Sequence, residues 1–199
     1  MSTLIGRLSP SVTNLIRMDH SLVMATFQQF HAGTGVRKKQ ALVESACLSL
    51  EIHAQLEEEI FYPALRELAT DTTIVEKSFP EHAEMRRLIT RLRGMVPTDA
   101  EYDKTFMELM RDVMHHVADE ETTLLPAAER LLADRLGDLG AEMTRRRLQL
   151  LGKHAGEIAS NTARSFPESA IVMASSAMAA GAYLFGRAGA KPEPGTPPR

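Results

Sequence analysis

The amino-acid sequence predicts an all-α protein: an up-down-up-down four-helix bundle with a C-terminal helical extension. Three observations predict it. Apolar residues recur at helical spacing through most of the 199 residues, and no stretch sustains the alternation of a strand. Glycine, proline and capping residues divide the periodic stretches into long segments with short connectors, which makes neighbouring helices antiparallel. The same block also occurs twice. His53-Ala-Gln-Leu-Glu57-Glu58 ends at Pro63, and His116-Val-Ala-Asp-Glu120-Glu121 ends at Pro126, each proline ten residues after its histidine. An acidic-His pair precedes each block, Asp19-His20 by 33 residues and Glu81-His82 by 34.

The elements follow in order. Ser9-Pro10 is a helix start, and the helix it opens runs to about His31, stopping at Gly33-Thr34-Gly35. A second helix spans about Val36 to Tyr62. Pro63 should bend it or begin a short segment to Ala69, because proline lacks a donor and clashes with the preceding turn. A third covers roughly Ile74 to Met95 with Pro80 as an irregularity, and a fourth opens at Pro97-Thr98-Asp99, runs to about Leu125 and breaks at Pro126. Beyond the duplication, a fifth helix is expected from about Leu139 to Ser160. Residues 1–135 are thus read as the bundle, 136–187 as additional helices, and the Pro-rich 188–199 as a disordered tail.

Composition narrows the function classes. A net charge of −3 with both signs interspersed offers no basic face, so no nucleic-acid partner is expected. Cys47 is the single cysteine, which removes disulfide frameworks and thiolate metal sites; it reads as a small core residue.

Helical phase singles out six polar residues. Ala46, Leu50, His53, Glu57 and Ile60 trace one face of the second helix, and Phe106, Leu109, Val113, His116, Glu120 and Leu124 one face of the fourth. Val12, Ile16, His20, Val23 and Phe27 share a stripe in the first helix; Val75, Phe79, His82, Ile89 and Leu92 share one in the third. Two glutamates among leucines and phenylalanines are costly unless matched by charge. Two dications would match them, and His and Glu four apart can reach the same ion. His20, His53, Glu57, His82, His116 and Glu120 are therefore candidate metal ligands. His115 lies off that face, His31 ends a helix beside glycines, and His154 falls outside the repeat. Nitrogen and oxygen ligands without sulfur suit five- or six-coordinate iron or manganese better than structural zinc, which is usually tetrahedral.

From about Val12 to Leu132 these residues resemble the hemerythrin family, in its HHE cation-binding branch. The resemblance implies a four-helix bundle holding two carboxylate-bridged irons per chain. His20 and His53 would serve one, His82 and His116 the other, and Glu57 and Glu120 would bridge them. Ferritin-like di-iron bundles use Glu-x-x-His pairs, and this chain has none. Two positions depart from the oxygen carriers of the family. Arg86 stands where a second histidine would follow His82 by four, and Glu120 and Glu121 follow His116 by four and five where an aspartate stands at five. Water, Glu81 or another carboxylate would complete the second iron, and Arg86 would bring a cation near it. Both departures weigh against reversible oxygen carriage. The implied function is binding or sensing of dioxygen, nitric oxide or reactive oxygen species in a stress response, with peroxide consumption as an attached activity; the alternative is an iron-binding, storage or sensing module without catalysis. The ligand would be a small diatomic molecule or peroxide.

The N-terminus lacks a secretory apolar run, which makes a cytoplasmic location the expectation. Residues 170–185 carry no charge, and Ala177 and Gly181 form a small-x-x-x-small pair, so residues 170–186 are read as self-associating or membrane-contacting.

Overall fold

The computed structural model describes residues 10–160 apart from residue 157. Among them every regular element is helical: α1 (Val12–Gln28), α2 (Val36–Leu56), a π turn (Glu57–Phe61), α3 (Tyr62–Arg66), α4 (Thr73–Arg93), α5 (Tyr102–Asp119), a second π turn (Glu120–Leu124), α6 (Leu125–Leu131) and α7 (Leu136–Lys153). The four long helices α1, α2, α4 and α5 form the expected bundle, with α1 packed on α2, α2 on α4 and α4 on α5. α7 lies against α1 and α2.

Several boundaries shift for identifiable reasons. Ser11, rather than Ser9-Pro10, starts α1; its hydroxyl accepts the Asn14 backbone N–H at 3.3 Å. Pro63 begins the expected short segment, α3, which ends at Arg66, while Pro126, expected to break its helix, does not. Pro63 and Pro126 sit in the first turns of α3 and α6, directly after the two π turns. A proline ring would collide with the carbonyl four residues back, and a turn widened by one residue carries the chain past that collision. α4 runs through Pro80 without interruption.

The core has two apolar halves. One gathers Ile16, Leu56, Phe61, Leu65 and Leu125 with Leu139, Met143 and Leu150 of α7. The other gathers Val23, Phe27, Leu50, Met85, Phe106 and Leu109, with Cys47 buried among them as expected. The histidines of the repeat lie between the halves: His20 falls between Ile16 and Val23, His53 between Leu50 and Leu56.

α7 is registered on α1 by a close approach at Gly140. A Cβ there would stand 2.1 Å from the Pro10 carbonyl oxygen, so only glycine fits without displacing backbone. That Cβ would also stand 3.0 Å from the Val12 nitrogen, and seven residues further along each helix from Gly140 and Val12, Arg147 meets Asp19. The two helices therefore run parallel.

The expectation of a membrane-associated protein is corrected. Among the described residues no helix is long and apolar enough to cross a membrane, because charged side chains interrupt every helix of sufficient length. The apolar segment 170–186 and the tail 188–199 lie outside the described residues.

Candidate metal centre

α1, α2, α4 and α5 each contribute one histidine to the layer between the apolar halves, and the first residue of each π turn contributes a glutamate. His20, His53, Glu57, His82, His116 and Glu120 are all at most 4 % exposed. The structure brings the six together as two overlapping groups. Ligand atoms of His20, His53, Glu57 and Glu120 lie within 4.8 Å of one another, and so do those of Glu57, His82 and His116. Glu57 belongs to both groups. Glu120 also faces both, with Oε2 3.2 Å from His20 Nε2 and 3.6 Å from His116 Nε2.

A carboxylate stands behind each imidazole. Nδ1 of His20 meets Glu121 at 2.8 Å, His53 meets Asp19 at 3.2 Å, His82 meets Glu58 at 2.9 Å and His116 meets Glu81 at 2.8 Å. A carboxylate partner places the ring proton on Nδ1 and aims the Nε2 lone pair inward. Each carboxylate is backed in turn by a cation: Glu121 by Arg17 at 3.2 Å, Glu58 by both Arg86 nitrogens at 2.8 and 2.9 Å, Glu81 by Lys77 at 3.3 Å and Asp19 by Arg147.

These contacts settle the two departures in the sequence. Glu120 is the inward acid and Glu121 an orienting one. Arg86 does not reach the ligand atoms, because Glu58 holds its guanidinium on the outer side of His82. Glu81 orients His116 instead of joining the inner group. His115 and His31 are exposed.

One inner group was not expected. The Tyr62 hydroxyl donates to Glu120 Oε1 at 2.9 Å, lies 3.2 Å from Glu57 Oε2, and stands 3.5 Å from His82 Nε2. Regular helical spacing would turn Tyr62 about 140° away from Glu57, but the π turn stacks residues five apart. The Tyr62 amide donates to the Glu57 carbonyl across that turn. Burial, then the Glu57 and Glu120 charges, raise its hydroxyl pKa well above the ordinary tyrosine range, so it remains a donor.

The electrostatics show a site built for positive charge. Burial pushes the Glu57 carboxyl up, and the neighbouring Glu120 charge adds to it. Burial acts on Glu120 too, but His20 at 3.2 Å and the other imidazole charges around it hold that carboxyl low. His82 is lowered to about 4 by burial and by His116. For His116 the cost of burial is overcome by Glu81, Glu120 and Glu57, which raise it to about 9. Protonated His116 therefore donates Nε2–H to His82 Nε2 at 3.1 Å, and that proton stands where a cation would. Five buried atoms still lack hydrogen-bond partners: Arg147 Nε on α7 and, at the centre, His20 Nε2, His53 Nε2, Glu57 Oε1 and Glu120 Oε2. Orphaned acceptors converging on one point fit a metal ion and little else.

A cavity of about 10 Å³, roughly the space of one water, adjoins the ligand atoms of His20, His53 and His116. Val23, Leu50, Met85 and Val113 form its apolar wall.

Residues 11–128 match the model of the hemerythrin HHE cation-binding domain. The chain belongs to the hemerythrin HHE family. A solved structure of an HHE cation-binding domain-containing protein from Mycobacterium kansasii is similar in fold, with a TM-score of 0.62 at 20 % identity, covering 82 % of this chain and 98 % of that one. A relative described as a DNA nickase, from Nostoc sp., is 30 % identical over 117 residues, which is 59 % of this chain. The chain spans only 33 % of that relative's length. Family and buried His/Glu groups together mark this HHE chain as a metal-binding protein.

Proposed function

We propose that the chain is a non-haem di-iron protein that binds or senses dioxygen, nitric oxide or peroxide, with peroxide consumption as its attached activity. The observation carrying this reading is the inward convergence of the imidazole Nε2 atoms, each ring held from behind by a carboxylate. His20 and His53 would hold one ion, His82 and His116 the other, with Glu57 and Glu120 facing both. The donor set of nitrogen and oxygen without sulfur favours iron over zinc, with manganese as the second choice. A pair of ferrous ions supplies electrons to a small oxidant bound beside it. The protein's residues do the rest. Tyr62 holds a proton against Glu57 and Glu120, 3.5 Å from His82 Nε2. Val23, Leu50, Met85 and Val113 keep the ligand side dry and admit only a small molecule.

A second reading, an iron-sensing module without turnover, is favoured by the enclosure of the ligands. Burying Glu57 and Glu120 unmatched costs stability that a metal restores, so occupancy would report iron as a change in fold stability. The nickase name belongs to a protein of which this chain spans a third. The net charge of −3 supports a small-molecule ligand over DNA.

Metal analysis of protein expressed in iron-replete cells is expected to give about two irons per chain, with near-ultraviolet charge-transfer absorption after exposure to oxygen. Metal-free protein would sink both readings. Rapid peroxide loss that disappears in His53→Ala selects the redox reading; metal binding without turnover selects the sensor.

A further inference from the structure

We propose that α7 is a working part of the metal centre, with Arg147 as the positioning residue. Through Asp19 it fixes the imidazole of His53 and so sets how firmly the ion on the His20–His53 side is held. The inference rests on the two-ion reading above.

Three of the four orienting carboxylates draw their cations from the stretch that matches the family: Arg17, Lys77 and Arg86 all fall within residues 11–128. Asp19 does not. Its cation comes from α7, 128 residues further along the chain. Both guanidinium nitrogens engage it, Nη1 with Oδ1 at 2.6 Å and Nη2 with Oδ2 at 2.5 Å. Oδ2 is also the atom that accepts from His53 Nδ1. A bidentate fork removes the carboxylate's freedom to rotate, and the ring of His53 inherits that constraint. The Asp19 and Arg147 side chains are only 12 % and 21 % exposed, so water can replace little of the contact.

The fold places Arg147 deliberately. Gly140 seats α7 directly on the start of α1, and equal seven-residue steps along two parallel helices bring Arg147 level with Asp19. Arg146, the adjacent residue, ties α7 to Glu59 of the first π turn at 2.6 and 2.9 Å. One helix outside the family-matching stretch thus grips the centre from α1 and from the π turn that begins at Glu57.

The competing explanation is that Arg147 only fastens α7 to the bundle. Full-length protein loaded with ferrous iron and mixed with an excess of a ferrous chelator separates the two. Arg147→Met is expected to speed the loss of one of the two irons by about ten- to hundred-fold, the usual cost of losing an outer partner of a metal ligand. Asp19→Asn should act on the same iron by a similar factor, the double variant should go no further, and Arg147→Lys should recover part of the loss. Leu150→Ala, which loosens α7 at a buried apolar contact away from Asp19, should leave both release phases unchanged. Equal acceleration by Leu150→Ala overturns the proposal, as does unchanged release in Arg147→Met. Helical circular dichroism of the iron-free variants checks folding, and Asp19→Asn with Arg147→Lys carry the test if Arg147→Met does not fold. Wild type that holds no iron removes the two-ion reading and this inference together. Wild type that holds two, with Arg147→Met indistinguishable from it, removes this inference alone.

Discussion

Single residues divide sharply into those the sequence announces and those it hides. The inward placement of all six candidate residues was legible because each continues an apolar stripe at helical spacing, and burial of all six follows. The orienting carboxylates left a fainter signal: Asp19 and Glu81 precede a ligand histidine, and Glu58 and Glu121 follow a ligand glutamate. Spacing alone cannot pair them, since Glu58 orients His82 and Glu121 orients His20 across the repeat boundary. Tyr62 was hidden for a different reason, because its inward turn depends on the π turn. Comparing the repeats marks the position, however: Tyr62 precedes Pro63 where Leu125 precedes Pro126. Tyr62→Phe leaves two buried carboxylates without that donor, so iron-free protein should lose about 1–3 kcal/mol in urea unfolding. A change below about 0.3 kcal/mol would mean that the hydroxyl does not hold them.

Among the elements, the long helices follow from periodicity and their ends from capping chemistry, with errors of a few residues. Pro63 opens the short segment expected of it, but Pro126 was read as a break and is not one. A widened turn relieves the clash as well as a break does, and only the folded chain shows which relief is taken. α7 was visible as a helix, yet its partner was not, since no sequence period reports which helix a fifth one joins. Gly140 fixes that choice sterically. Gly140→Ala forces backbone apart at the Pro10 carbonyl, and a loss of about 1–3 kcal/mol is expected by thermal or urea unfolding. Wild-type stability in Gly140→Ala would show that α7 slides without cost.

For the whole molecule, iron-free stability should depend on pH from both sides. The Asp19, Glu58 and Glu81 carboxyls are held low; burial opposes this in Asp19 and Glu58, and hydrogen bonds to their histidines and cations outweigh it. A lowered carboxyl stabilises the fold above its unfolded pKa, and that contribution disappears as acid protonates it. Glu57 is raised by burial above its ordinary 4.5, and His116 is raised from 6.5 to about 9. Their contributions are complete at low pH and fade as pH rises through the folded values. Buried, neutral His82, lowered to about 4, adds stability that is lost as pH falls below 6.5, so the melting temperature of metal-free protein should be highest between about pH 4.5 and 6.5 and fall on either side. Iron takes the place of those protons, so the gap between loaded and metal-free melting temperatures should widen from pH 5 to 8. A gap that narrows over that range would contradict the assignment of His116 and Glu57 as ligands.

The paired carboxylates and cations around the four histidines also act on electrons. Two carboxylates lie at the middle, four more stand one imidazole further out, and Arg17, Lys77, Arg86 and Arg147 lie beyond those. Interaction falls with distance, so the nearer negative charges outweigh the outer positive ones at the centre. Each positive charge gained there is thereby favoured, so an iron pair held in this setting, as proposed, would be easier to oxidise and harder to reduce. The midpoint potential is thus written into side chains that never touch the metal. Replacing Glu81 by Gln, which keeps a hydrogen-bond acceptor for His116 and deletes only the charge, should shift it upward in a redox titration; no shift would show that solvent screens the outer carboxylates.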